Sequence, residues 1–511
     1  MPDFKLEPIE LSDNFSEVVM SVHNDAQRID FIKDFFKNHF QNEATVIAKA
    51  GGRVNLIGEH VDYPDIQFNY EDAAKLYSLG MAIQNNFVVA ITPNTSGEIS
   101  IVHLNAKENL TIKVSDLEAF ENITHTEREN SIEFSERTLP SWCHHTLGAI
   151  KICSDKVSFK GAQVLLTSNV PHGAGVSNSA ANCSALALVL NKCYELGLNS
   201  NFKLIEYSRN SENSVFAGGH CGWLDMSLII HSKENVLTQI CYADQSVEQF
   251  ESKLPQEMAF VALNTNVPHV LAESDYVYRV AELEFILVEL SKIFKKDVSG
   301  SNLGYKQIND LIGIIDNNEV CDLSALLTEN SNQLISLTKN DFNKFEEYFQ
   351  TKFEVPHIEN HSKLDKKTSF LTLLKRLRHQ CQSALIVPAA SKAVEEGNYK
   401  ILGELVNLEG VSLRMSGDFQ ITGDNGAQDM LLDIGFEVSK ELNLECYGRM
   451  LGGGGGGNVL FYVSKSNPEV YKNWIQLISE KYYDWSCASF ENAPKVSVIE
   501  PIISEGACLV S

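Results

Sequence analysis

Residues 170–181 constrain the fold more than any other stretch of the chain. They read Val170, Pro171, His172, Gly173, Ala174, Gly175, Val176, Ser177, Asn178, Ser179, Ala180, Ala181. The short apolar run Ala162–Thr167 before them reads as a β-strand. After them, Ala181, Ala185 and Leu188, with Leu186 and Leu190, recur at a helical period. The glycines therefore lie in a strand-to-helix turn. Gly173 and Gly175 can take φ > 0 and leave room for another group to approach closely. Ser177–Asn178–Ser179 then opens a helix whose free N–H groups and positive dipole end suit an anion, phosphate above all. A plain tight turn capped by serine has the same spacing, so the loop needs company elsewhere in the chain.

At 511 residues the chain exceeds one ordinary core, and two domains are expected. A net charge of −25 argues against nucleic acid or an anionic membrane surface as partner, so phosphate must be handled locally by N–H groups, a metal and a few cations. No apolar run approaches the ~20 residues needed to span a bilayer, and the acidic N-terminus lacks the pattern of a signal peptide. Eleven widely spaced cysteines without a C-x-x-C pair suggest neither a zinc site nor a disulfide framework. A cytoplasmic protein is expected.

In chain order, Arg28–Phe40 carries aromatic and aliphatic residues at helical spacing, within an expected N-terminal helical extension over 1–43. Ala44–Ala50 reads as a short strand. Gly51–Tyr63 follows, with Arg53, Asn55, Glu59, His60 and Asp62 packed between glycines and aliphatics. Carboxylates accept hydrogen bonds from sugar hydroxyls, and an arginine can meet a phosphate or orient a carboxylate. On composition alone, a solvated polar loop is the better explanation of this stretch.

Three motifs in order carry a family resemblance. Gly52–Tyr63 resembles the galactokinase signature, and residues 171–181 resemble the second motif of the GHMP small-molecule kinases. Gly448–Arg449–Met450–Leu451, the six glycines Gly452–Gly457 and Asn458–Val459–Leu460 resemble the third. The segments Asn264–Arg279 and Ala393–Gly410 also look like galactokinase sequence, so the likeness runs from about residue 44 to 465. The chain thus resembles a divergent member of the galactokinase branch of the GHMP kinase superfamily.

That resemblance implies an α/β (α+β) fold of two lobes, an S5-like N-terminal domain over 44–235 and a ferredoxin-like C-terminal domain over 236–511, with the active site in the cleft. It implies transfer of phosphate from ATP, with Mg²⁺, to the anomeric hydroxyl of a sugar, galactose first. Asp225 matches the family's catalytic aspartate and Arg53 the arginine that orients it. Glu59, His60, Asp62, Gly222 and Tyr276 match sugar-binding positions. Pro171, Gly173, Gly175, Ser177, Asn178, Ser179 and Ala180 match the ATP-binding loop, with Ser179 and Glu212 as metal ligands. Each also has a structural alternative: Asp225 as a helix cap, Arg53 in an ion pair, His60 as a core histidine. Sugar and ATP are the expected partners, joined by a regulatory protein if the chain is a sensor.

The departures from the family pattern are specific. An insertion over residues 64–80, carrying Asp65, Glu71, Asp72 and Lys75, follows the signature. Asn178 replaces the middle serine. Counting back from Asp225, Asn213 occupies the metal-binding glutamate's position, and Glu212 lies one residue away, a helical rotation of about 100°. Met226, Leu451, Gly455 and Asn458 replace the usual glutamine, threonine, aromatic and cysteine. Three readings stay open: an active galactokinase, a kinase for N-acetylgalactosamine, arabinose or a uronic acid, and a galactokinase-like sugar sensor with weak or no catalysis.

Overall fold

The computed structural model describes the chain except residues 1–3, 12–17, 20–24, 63–74, 130–138, 220, 254, 256, 268–278, 280–281, 284–285, 287–369, 416, 422–425 and 511. A larger sheet holds β1 (Phe4–Pro8), β2 (Val46–Ile57), β3 (Tyr77–Pro93), β4 (Glu98–His103), β5 (Glu108–Lys113) and β6 (Ala162–Ser168). The helices α1 (Asp25–Phe40), α2 (Leu117–Glu129), α3 (His144–Lys156), α4 (Asn178–Tyr194), α5 (Asn201–Glu212) and α6 (Leu224–His231) accompany it. The strands run β1-β5-β4-β6-β3-β2. β7 (Val236–Cys241) pairs with the first residues of β3 and with β8 (Val247–Glu251).

Alternation along the strands explains how this sheet is covered. Phe87, Val89 and Ile91 of β3 join a core with α3, α4 and α5, while Val88 and Ala90 turn to the opposite face and pack with Ile29, Ile32 and Phe36 of α1. A period of two thus buries both faces.

The second sheet has four antiparallel strands in the order β10-β11-β9-β12, formed by β9 (Met258–Asn264), β10 (Cys446–Met450), β11 (Asn458–Ser464) and β12 (Ser497–Ile499). Val261, Leu263, Phe461 and Val463 face α9 (Ala427–Glu441) and α10 (Pro468–Ser489) around the fully buried Trp474. Phe260, Ala262, Leu460 and Tyr462 face α7 (Phe370–Glu395) and α8 (Tyr399–Leu413) in a cluster that also holds Val54, Leu56, Met81, Val170 and Val176 of the first lobe. The lobes therefore share one apolar core beside the glycine turn.

Several expectations are corrected. Gly51–Ile57 is strand, not loop: β2 continues through the polar stretch, with register shifts at Gly51/Arg53 and Asn55/Ile57. Residues 236–251 belong to the larger sheet, so the division after residue 235 does not separate the sheets. Within the expected extension over 1–43, β1 and α1 are integral to the first lobe, because β1 pairs β5 and α1 covers one face. α7 and α8 are parted at Gly397–Asn398, where the Asn398 side chain accepts the Ile401 N–H. β3 already begins at Tyr77, and Lys75 makes an exposed ion pair with Asp244; Asp65, Glu71 and Asp72 lie outside the described residues. The tail adds β13 (Cys508–Val510), which pairs β2.

Candidate functional site

The turn after β6 has three left-handed residues, Gly173 (φ +64°), Gly175 (φ +69°) and the non-glycine Ser177 (φ +60°). A left-handed serine costs about 1–3 kcal/mol and persists only where its surroundings over-determine it. Here the Ser177 hydroxyl donates to Asp225 Oδ2 at 2.5 Å. Asn178 turns away: its amide donates to Ser168 Oγ (2.9 Å) and Val170 O (2.8 Å), closing the turn onto its own strand. Pro171 is half-buried and Ala180 buried under the turn. A Cβ on Gly175 would stand 2.9 Å from Leu451 O, so the third glycine run packs directly on the second.

Arg53 enters from β2, beside Gly52, where a Cβ would stand 2.6 Å from Val176 O. Its N–H donates to Val176 O, its Nε to Asp225 Oδ1 at 2.7 Å and its Nη1 to Gly175 O at 2.6 Å. Burial alone would lower the guanidinium's pKa, but Asp225, Glu59 and Asp62 outweigh it and raise it. Asp225 lies in the first turn of α6, both carboxylate oxygens engaged.

Beyond β2, the turn Gly58 (φ +92°) to His60 (φ +59°) leads to Asp62. Asp62 Oδ2 accepts the Leu224 N–H at 2.7 Å, and a Cβ on Gly222 would lie 2.2 Å from that same oxygen. Burial pushes the Asp62 carboxyl up to about 6, against the Leu224 N–H, which favours the charged form. Glu59 Oε2 accepts from Asn55 (3.2 Å) and Arg449 (2.8 Å). The His60 ring packs on Phe419 at 5.2 Å, and burial holds it well below the usual histidine range, so it is neutral. Tyr276 lies outside the described residues.

Glu212 ends α5 and accepts the Ser179 hydroxyl at 2.6 Å; its Oε2 is buried without a hydrogen bond of normal geometry, beside the Cys221 thiol. Burial pushes its carboxyl up to about 7. Asn213 clamps Cys221 instead, donating to its carbonyl (2.9 Å) and accepting its N–H (2.8 Å), which fixes the approach to Gly222 and Asp225. Among the described residues no three His, Cys, Asp or Glu side chains are grouped to hold a metal.

The structure thus brings Arg53, Gly175, Ser177 and Asp225 into direct contact, sets Asp62 against Gly222, and joins Ser179 to Glu212. The sequence gives Glu409 and Arg449 no role, although both lie in matching segments. Glu409 Oε1 accepts the N–H groups of Gly58 (2.6 Å) and Glu59 (3.0 Å), while burial pushes its carboxyl up to about 7. His379 Nε2 meets Glu59 O at 3.0 Å, and Gln380 donates to His60 O.

Two family models match the chain: "GHMP kinases N terminal domain" over residues 144–233 and "Galactokinase galactose-binding signature" over residues 34–67. The crystal structure of Lactococcus lactis galactokinase complexed with galactose superposes with a TM-score of 0.67 at 18% identity, covering 94% of this chain and 99% of that one. Methanococcus jannaschii mevalonate kinase (TM-score 0.45, 13% identity, 89% and 98% covered) and Staphylococcus aureus mevalonate diphosphate decarboxylase (0.42, 13%, 92% and 98%) are more distant. The fold is that of the GHMP kinases. Within that class, the matched signature and the fold make the chain similar to galactokinase. No helix among the described residues is long and apolar enough to cross a membrane.

Proposed function

We propose that the protein is an ATP-dependent sugar-1-kinase that phosphorylates galactose. The observation that carries the reading is the Asp225 carboxylate, held by Arg53 and Ser177 at the mouth of a glycine turn and a helix N-terminus. A sugar hydroxyl is a weak nucleophile, and a fixed carboxylate that accepts its proton lowers the barrier. Asp225 is that base. Arg53 holds it in place and adds positive charge where the phosphoryl group transfers. Asp62 and Glu59, with Gly222 and His60, supply acceptors and shape to the sugar side. The turn 171–180 offers its N–H groups to the ATP phosphates.

Ser179 and Glu212 would hold Mg²⁺. Hard oxygen donors, and a buried carboxylate oxygen lacking an ordinary hydrogen bond, suit that ion. Bound there with ATP, Mg²⁺ neutralises charge on the phosphates.

The test is ADP release with Mg-ATP against galactose, N-acetylgalactosamine, arabinose, glucose and galacturonate. Turnover with galactose at about 1–100 per second supports the reading. Preference for another sugar corrects the substrate. Galactose binding without ADP release makes the protein a sensor. In Asp225→Asn, turnover should fall about 10²–10⁴-fold while sugar binding persists, and an active variant removes Asp225 as the base.

A further inference from the structure

We infer that Glu409 is a positioning residue for the sugar site, acting through the Gly58–His60 turn and through Arg449. The inference rests on the sugar-kinase reading above. Gly58 takes its positive φ freely, but the non-glycine His60 is also left-handed, a conformation it does not favour by itself. Something outside the turn must hold it. Glu409, on α8 of the second lobe, takes the N–H groups of Gly58 and Glu59 on one carboxylate oxygen. Without that acceptor both buried donors would lose their partner.

Its other oxygen lies 3.3 Å from Arg449 Nε, and Arg449 Nη2 in turn grips Glu59 Oε2. Arg449 is anchored further by donating to Asn55 O and Leu56 O, the residues that lead into the turn. Glu409 therefore fixes the backbone of Glu59 directly and one of its carboxylate oxygens through the guanidinium. Glu409 and Arg449 are wholly buried, so both act through Glu59 rather than on a ligand. Arg449 also stands just upstream of the third glycine run, separated from it by Met450 and Leu451, and Gly452 reaches the His60 ring and Gly175. The sugar turn is thus carried by a first-lobe strand, while its shape is set by the second lobe.

Equilibrium binding of galactose and of ATP to the full chain tests this, because it needs no turnover. Glu409→Ala should weaken galactose binding by about tenfold or more and leave ATP affinity within about threefold of wild type. Glu409→Gln keeps an oxygen for the two N–H groups and should restore most of the galactose affinity. Glu409→Asp keeps the charge but falls short of the turn, and should bind galactose as weakly as the alanine variant. That variant decides the matter if Glu409→Ala does not fold. Unchanged galactose affinity in Glu409→Asp, or equal losses for galactose and ATP, would overturn the inference. Wild-type protein that binds no sugar would reject the sugar-kinase reading and this inference with it; wild-type binding with indifferent variants rejects the inference alone.

Discussion

Gly222→Ala is the sharpest test of the sugar side of the site. An added Cβ would lie 2.2 Å from both the backbone oxygen and Oδ2 of Asp62. A carbon–oxygen contact needs about 3.3 Å, so Asp62 must retreat by about 1 Å. The backbone oxygen cannot swing aside as a side chain can, and the Leu224 N–H···Asp62 bond of 2.7 Å is lost with the shift. A hydrogen bond to a charged group contributes about 1.5–3 kcal/mol. In affinity that is about 10- to 150-fold, similar to the ~10²-fold cost of misplacing a reacting group by 1 Å. Steady-state kinetics should show kcat/KM for galactose falling by about 10²-fold, with the KM for ATP nearly unchanged. The pH profile adds a signature. Asp62, at about 6 in the wild type, must be ionised to accept sugar hydroxyls, so kcat/KM should fall below that pH. Loss of the Leu224 N–H removes support from the charged form and moves this acidic limb to higher pH. Normal galactose kinetics in a folded Gly222→Ala protein would refute the placement of Asp62 in the sugar site.

Ser177→Ala separates two roles for one residue. Its hydroxyl meets Asp225, so kcat should drop by about tenfold while the KM for ATP holds; a change confined to the KM for ATP would return Ser177 to the nucleotide. Glu212→Gln should raise the Mg²⁺ concentration needed for half-maximal rate by about tenfold or more. In the wild type, apparent Mg²⁺ affinity should rise as pH passes through about 7, where the buried carboxyl gives up its proton. Titration of the rate with Mg²⁺ at several pH values reads both effects, and a flat response in both proteins removes Glu212 as a ligand.

The sequence carried the local parts of this site better than the distant ones. Strand, glycine turn and helix over 162–194 are legible because period and turn chemistry are written within one window. The continuation of β2 through Gly51–Ile57 is not, since glycines and polar residues read as loop until β3 pairs with them across two register shifts. One-residue counting makes Glu212 look misplaced, but the helix ends there and the chain leaves its axis, so Glu212 reaches Ser179 while Asn213 secures Cys221. Glu409 and Arg449 meet Glu59 across 350 and 390 residues, a separation no periodicity records. Ser177 reads as a phosphate ligand because its motif suggests one; only the fold brings Asp225 to its hydroxyl.

The pairing of β13 with β2 bears on how the chain is made. Cys508, Leu509 and Val510 hydrogen-bond along Lys49, Ala48 and Ile47, on the strand that carries Arg53 a few residues further on. During synthesis, at about 5–20 residues per second, β2 leaves the ribosome long before its edge partner exists. Until then that edge presents an unpaired row of N–H and C=O groups, a template for pairing with another nascent chain. Pairing with β13 closes it, so the strand bearing Arg53 acquires this neighbour only after the long intervening chain has been made.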